Sequence, residues 1–65
     1  MKIIVNGSSF ETSATTLDAL LIELGKAHAK VATAVNEAFV PASLRADCML
    51  ADGDRVEIVA PRQGG

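Results

Sequence analysis

Apolar residues alternate with polar ones at both ends of this chain and recur at helical spacing between them. Met1, Ile3 and Val5 share one side of an extended segment Met1 to Asn6, with Lys2, Ile4 and Asn6 on the other, which is the period-two signature of a strand. Ile4 breaks the alternation, being apolar on the polar side. Asn6-Gly7 is a strong hairpin signal, because both residue types tolerate the positive φ that two-residue hairpins require. Ser8 to Thr12 then returns as a second strand carrying Phe10. Thr15 followed by Asp18 has a capping-box-like spacing. Leu17, Leu20, Leu21 and Leu24 fall at i, i+3, i+4 and i+7, a single apolar helical stripe that Gly25 closes.

After a polar connector from Lys26 to Lys30, the period returns to two. Val31, Thr33 and Val35 lie on one side of a third strand, with Ala32 and Ala34 on the other. Asn36-Glu37-Ala38 separates it from a very short fourth strand, Phe39-Val40, which Pro41 stops because it has no N–H to pair. Ala42 to Ala51 is irregular, with one short helical turn expected around Ser43 to Ala46. Asp52-Gly53-Asp54 makes a turn, and Arg55 to Ala60 forms the last strand with Val56, Ile58 and Ala60 facing one way. No internal repeat or low-complexity segment is visible. The order predicts an α+β domain, a mixed sheet of about five strands packed on one helix in the β-grasp or ubiquitin-like arrangement. One helix covers one face of a sheet. Ile4 and Val59 are expected to project from the uncovered face, where an apolar patch would form a docking surface; scattered surface aliphatics are equally ordinary.

Composition narrows the function. The chain has 65 residues, 49% of them hydrophobic, with two Phe, no Trp or Tyr and one Cys. A domain this small buries only ~60% of the surface its unfolded chain exposes, so a deep walled active site is not expected and function belongs on a surface or at an end. Six Lys and Arg against eight Asp and Glu give a formal charge of −2, with no basic stripe, which argues against nucleic acid. A single Cys makes no internal disulfide, favouring a reducing, cytoplasmic setting. The longest apolar runs, Ile3 to Val5 and Ala19 to Ile22, fall far short of the ~20 residues of a membrane span, and no signal peptide is visible.

The last strand is followed by Pro61-Arg62-Gln63-Gly64-Gly65, which offers nothing to a core. Residues 1–60 therefore read as the domain and 61–65 as a flexible C-terminal tail ending in Gly-Gly. At a background Gly usage of ~7%, such an ending arises by chance in roughly 0.5% of chains. Without Cβ atoms, Gly64 and Gly65 can thread a narrow channel and present a carboxylate. Five extended residues carry it at most ~16–18 Å from a docked body. Pro61 stiffens the base of this arm, and Arg62 either pairs with an acidic partner or is simply solvated. Cys48 has no flanking Cys or His and reads as a semi-buried thiol. His28 reads as an exposed residue after the helix. Asp52 and Asp54 read as solvated acids of a turn in which Gly53 takes positive φ, the alternative being a carboxylate pair or cation site. No catalytic constellation, metal set or phosphate loop occurs.

Three stretches taken together resemble a known family. Val35-Asn36-Glu37-Ala38-Phe39-Val40-Pro41, the run Leu50-Ala51-Asp52-Gly53-Asp54-Arg55-Val56-Glu57-Ile58-Val59, and the ending Pro61-Arg62-Gln63-Gly64-Gly65 are similar to the thiamine-biosynthesis sulfur carrier proteins, the ThiS family. The opening Met1 to Gly7 is similar too. Many members have Gly within the hairpin that is Asn36-Glu37-Ala38 here, Arg where Ala42 stands, and an apolar residue where Arg62 stands. The resemblance implies a carrier with no catalysis and no bound cofactor of its own. An E1-like, ThiF-type enzyme would adenylate the Gly65 carboxylate with ATP and Mg²⁺. A persulfide derived from cysteine through a desulfurase would then convert it to a thiocarboxylate, which would donate sulfur to a ThiG-type thiazole synthase. Gly64, Gln63, Arg62 and Pro61 would provide access. Two alternatives remain: a small subunit of the molybdopterin synthase type, and a ubiquitin-like binding module with an inert tail.

Overall fold

Two hairpins with the same turn chemistry frame the molecule. In the computed structural model, which describes residues 1–60, β1 (Lys2–Val5) turns through Asn6-Gly7 into β2 (Ser8–Glu11), and β3 (Ala32–Val35) turns through Asn36-Glu37 into β4 (Ala38–Val40). All four turn residues have positive φ: 49° at Asn6, 85° at Gly7, 50° at Asn36 and 72° at Glu37. That pattern belongs to the turns whose twist matches paired strands. The second loop is thus two residues and not three, and Ala38 joins the fourth strand. Burial along residues 1–10 repeats along residues 31–40, although the equivalent positions share only Val5-Asn6 and Val35-Asn36. The repeat missing from the sequence is a repeat of geometry.

Between the hairpins runs β5 (Arg55–Val59), giving a sheet ordered β2-β1-β5-β3-β4. The sheet is mixed: β1 pairs with β5 in parallel, and the other pairings are antiparallel. Both turn asparagines reach across to the central strand. The Asn6 amide donates through Nδ2 to the Ile58 carbonyl at 3.0 Å and accepts the Ile58 N–H on Oδ1 at 2.8 Å. It extends the β1 ladder past the point where β1 has turned away. Asn36 Oδ1 accepts the Arg55 N–H at 3.0 Å, and its own N–H donates to the Arg55 carbonyl at 2.7 Å. One hairpin therefore holds the start of β5 and the other its later half.

The inner face of the sheet packs on α1 (Leu17–Glu23), a helix of 7 residues. Isolated helices shorter than ~12–15 residues are marginal in water, so this one depends on burial of its apolar stripe. Leu17, Leu20 and Leu21 are buried against Ile3, Val56 and Ile58, with Leu50 and Ala14 completing the core. Each such side chain contributes ~1.5–3 kcal/mol. Leu24 is half-buried at the edge, and Gly25 follows with φ 75°. The cap is Thr16 and not Thr15: Thr16 Oγ1 accepts the Ala19 N–H at 3.1 Å, while the Thr15 carbonyl accepts from Leu50 N at 2.9 Å. Tertiary pairing took Thr15 and left the cap to its neighbour.

Ala42–Asp47 forms a 3₁₀ helix of six residues, longer than the single turn expected. Such runs seldom exceed 3–4 residues. Arg45 accounts for its persistence, donating through Nε to Thr33 Oγ1 at 3.1 Å and through Nη2 to the Val31 carbonyl at 2.6 Å. Thr33 is buried, and its hydroxyl in turn donates to the Val40 carbonyl at 2.7 Å. The segment is thereby tied to the first residues of β3. Among the described residues, no helix is long and apolar enough to cross a membrane.

Replacing Asn6 separates the two roles assigned to it. Asn6→Gly keeps the left-handed backbone but loses both bonds to Ile58, and is expected to lower the unfolding free energy by ~1–3 kcal/mol. Asn6→Ala adds ~1–2 kcal/mol for a Cβ in that conformation. Urea denaturation measures both, and a Gly variant as stable as the parent would show that the side-chain bonds contribute nothing.

Candidate functional site

The face of the sheet away from α1 carries Lys2 and Ile4 of β1, Arg55, Glu57 and Val59 of β5, Ala32 and Ala34 of β3, and Phe39 of β4. Register decides which of these meet. Ile4 pairs with Arg55 on one side and Ser9 on the other, whereas Val59 pairs with Ala32. Val59 thus lies four positions beyond Ile4's partner, ~13 Å along the strand. Ile4 and Val59 share the face expected of them, but they do not form one continuous patch. Ile4 is half-buried, while Val59 is 60% exposed.

The apolar surface gathers instead on the β3–β4 side. Phe39 lies opposite Ala34 and is 69% exposed, because the small methyl groups of Ala32 and Ala34 cannot cover a ring. Sequence reasoning gave Phe39 no role. The available signal was the pair of alanines on the outward positions of β3, which leaves any large neighbour uncovered. Glu57 pairs with Ala34 on the other side, placing one carboxylate in the middle of this surface.

Val59 is also the last residue of β5, so the apolar end of the face coincides with the root of the C-terminal segment. Pro61, Arg62, Gln63, Gly64 and Gly65, the residues expected to form the reactive arm, lie outside the described residues. Up to Val59 the chain is held in the centre of the sheet, paired with β3 throughout and tied at Ile58 to Asn6.

The remaining candidates resolve into structural parts. Asp52 Oδ1 accepts the Lys2 N–H at 2.8 Å; Asp54 accepts the Ala51 N–H on Oδ2 at 2.8 Å and the Asn36 amide on Oδ1 at 3.0 Å. Gly53 between them has φ 88°, as its place in the turn requires. The two acids are therefore bound to the turn and its neighbours and not simply solvated. Cys48 is half-buried in an open, mostly apolar groove of about 300 Å³ shared with Phe39, Val40, Pro41, Leu44 and Asp47. His28 is exposed in the connector. Among the described residues, no three His, Cys, Asp or Glu side chains group as metal ligands.

Comparison with known proteins agrees with this geometry. The family described as ThiS family matches residues 3–65. A thiazole synthase of Paramagnetospirillum magneticum (strain ATCC 700264 / AMB-1) is 46% identical over 66 residues, an alignment covering 100% of this chain and 20% of that protein. The chain thus spans about a fifth of the length of this curated relative. The crystal structure of a thiamine biosynthesis protein (ThiS) from Geobacter metallireducens superimposes with a TM-score of 0.85 at 26% identity, covering 100% of both chains. An NMR solution structure of a thiamine biosynthesis protein from Geobacter metallireducens gives 0.78 at 26% identity, covering 100% of this chain and 88% of the other.

The turn assignment of Asp54 has a direct test. Asp54→Ala removes two hydrogen bonds to a carboxylate and is expected to cost ~2–3 kcal/mol in chemical denaturation, whereas millimolar Ca²⁺ or Mg²⁺ leaves the melting temperature of the parent unchanged. A cation-dependent rise in melting temperature that Asp54→Ala abolishes would make the turn an ion site.

Proposed function

The chain belongs to the ThiS family, and from that premise we propose that it is the sulfur carrier of thiazole formation in thiamine biosynthesis. Residues 1–60 act as the recognised body, and residues 61–65 as an arm whose last residue, Gly65, bears the reactive carboxylate. The observation that carries this reading is the family match, which extends through residue 65 and so includes the Gly-Gly ending. The reported relatives bear names from thiamine biosynthesis, which favours this pathway over the molybdopterin-synthase alternative.

The chemistry follows from the weakness of a carboxylate as an electrophile. An E1-like enzyme uses ATP and Mg²⁺: a Gly65 carboxylate oxygen attacks the α-phosphorus, pyrophosphate leaves, and a mixed anhydride with AMP results. The terminal sulfur of a cysteine-derived persulfide then attacks the acyl carbon and AMP departs. A thiol cleaves the acyl disulfide so formed, releasing the thiocarboxylate and leaving a disulfide on the donor side. Thiazole synthase takes the sulfur. Its role as recipient is supported by the Paramagnetospirillum magneticum protein, a thiazole synthase about a fifth of which is similar to this chain. The carrier supplies no acid, base or metal; Gly64 and Gly65 supply slimness, since a Cβ at either would widen the arm inside a channel.

Docking falls to the outer face near the root of the arm, with Phe39 and Val59 as its exposed apolar anchors and Ala32 and Ala34 as a flat floor. Ile4, farther along the face and half-buried, contributes less.

Two measurements test the proposal. Incubation with the adenylating enzyme, ATP, Mg²⁺ and a persulfide donor is expected to exchange one oxygen for sulfur in the C-terminal peptide, read by mass spectrometry, and deletion of Gly65 to abolish it. Absence of exchange in the parent protein would refute the carrier reading. Phe39→Asp and Val59→Asp, both at exposed positions, are expected to fold normally and to weaken association with the adenylating enzyme by about tenfold or more, ~1.4 kcal/mol each. Unchanged binding in both moves the docking surface elsewhere.

A further inference from the structure

Charges of both signs meet at the start of β5, where Glu11, Glu37, Asp52 and Asp54 lie beside Lys2, Arg55 and the Met1 ammonium, two of the acids in ion pairs. The other end differs. No acidic residue occurs between residues 24 and 36, a stretch that carries Lys26, His28 and Lys30, all exposed. This connector enters β3, whose first residue, Ala32, pairs with Val59. Lys30 and Val31 therefore flank Ala60, the point at which the chain leaves the sheet.

A second cation arrives from a different element. Arg45, on the 3₁₀ helix, places Nη2 2.6 Å from the Val31 carbonyl, so its guanidinium sits beside the same exit. The ion pairs among the described residues join the Met1 ammonium to Glu11 and Arg55 to Glu37. Neither involves Lys26, Lys30 or Arg45. Asp47, the acid nearest Arg45 in sequence, lines the groove with Val40, Pro41 and Leu44 and forms no ion pair with Arg45. In a chain of net charge −2, Lys30 and Arg45 are thus cations beside Ala60 that form no ion pair among the described residues.

We propose that Lys30 and Arg45 form an electrostatic collar that steers the carrier onto a carboxylate-lined rim around the arm-binding channel of the adenylating enzyme. The inference rests on the carrier reading above. Any protein that admits the arm must close on the end of the body from which the arm departs, so charges there become the edge of the interface. Edge charges act mainly on the rate of encounter and on its salt dependence, and little on dissociation.

The test uses the intact carrier and the purified ThiF-type enzyme in stopped-flow or surface-based kinetics. For the parent protein, the association rate is expected to fall as ionic strength rises. Lys30→Glu is expected to slow association at low salt by about tenfold and flatten that dependence, with dissociation nearly unchanged. Lys2→Glu alters net charge equally at the other end of the sheet and is expected to stay within about twofold of the parent. Both lysines are exposed and, among the described residues, make no side-chain hydrogen bond or ion pair, so circular dichroism should report native folds. Equal slowing by the two variants, a salt-independent parent, or slowing seen only with thiazole synthase would overturn the collar. These outcomes differ from failure of the carrier reading, in which the parent itself gains no sulfur.

Discussion

The position of β5 is the constraint on which the rest of this structure depends. Among the described residues it is the only strand with neighbours from both hairpins, and it carries Val56 and Ile58 into the core while Val59 remains outside. Its ladders with β1 and β3 set its register, and two asparagine side chains add bonds to it from either flank. Each asparagine already occupies a left-handed turn position that few other residues tolerate. A single residue type therefore serves both the hairpin turn and the central strand, on both sides of the sheet. Shifting β5 by one position would turn Val56 and Ile58 to solvent and Arg55 and Glu57 into the core.

Such economy suits a domain with little core to spare. Among the described residues eight buried apolar ones make up the core, and the helix over them is barely two turns long. The grooves that remain are open ones, floored by a few apolar side chains and rimmed by Asp47 on one side of the molecule and Glu23 on the other. A body of this size offers shape and charge for recognition. Reaction chemistry needs desolvation and aligned groups, which open grooves of this kind do not provide.

Periodicity made most of the elements legible. The two-residue alternation, Asn6-Gly7 and the leucine stripe identify strands, hairpin and helix because each reflects local geometry. What stayed hidden was set by contacts between elements. Thr15 looks like the cap until its carbonyl is engaged by Leu50, and the 3₁₀ helix outgrows its expected turn because Arg45 reaches Thr33 and Val31. Ile4 and Val59 illustrate the same limit at the candidate site. Alternation assigns both to the outer face, but only register shows that Ile4 sits beside Arg55 and Val59 beside Ala32. Phe39 escaped notice because its exposure comes from the smallness of its neighbours and not from any property of its own. Residues 61–65 are the reverse case, conspicuous in sequence through Gly64 and Gly65 and lying outside the described residues.

The placement of charge joins these levels. The connector from Lys26 to Lys30 has no periodicity and no apolar role, so its composition is free of the demands of folding. Arg45 is not: it holds the 3₁₀ helix to the start of β3, and its two hydrogen bonds fix where its charge is displayed. A cation made rigid by its structural task keeps its position when a partner approaches, and loses less conformational entropy on binding than a free lysine does. In the proposed collar, the two hydrogen bonds that hold the 3₁₀ helix to the start of β3 also fix the position of one of its charges.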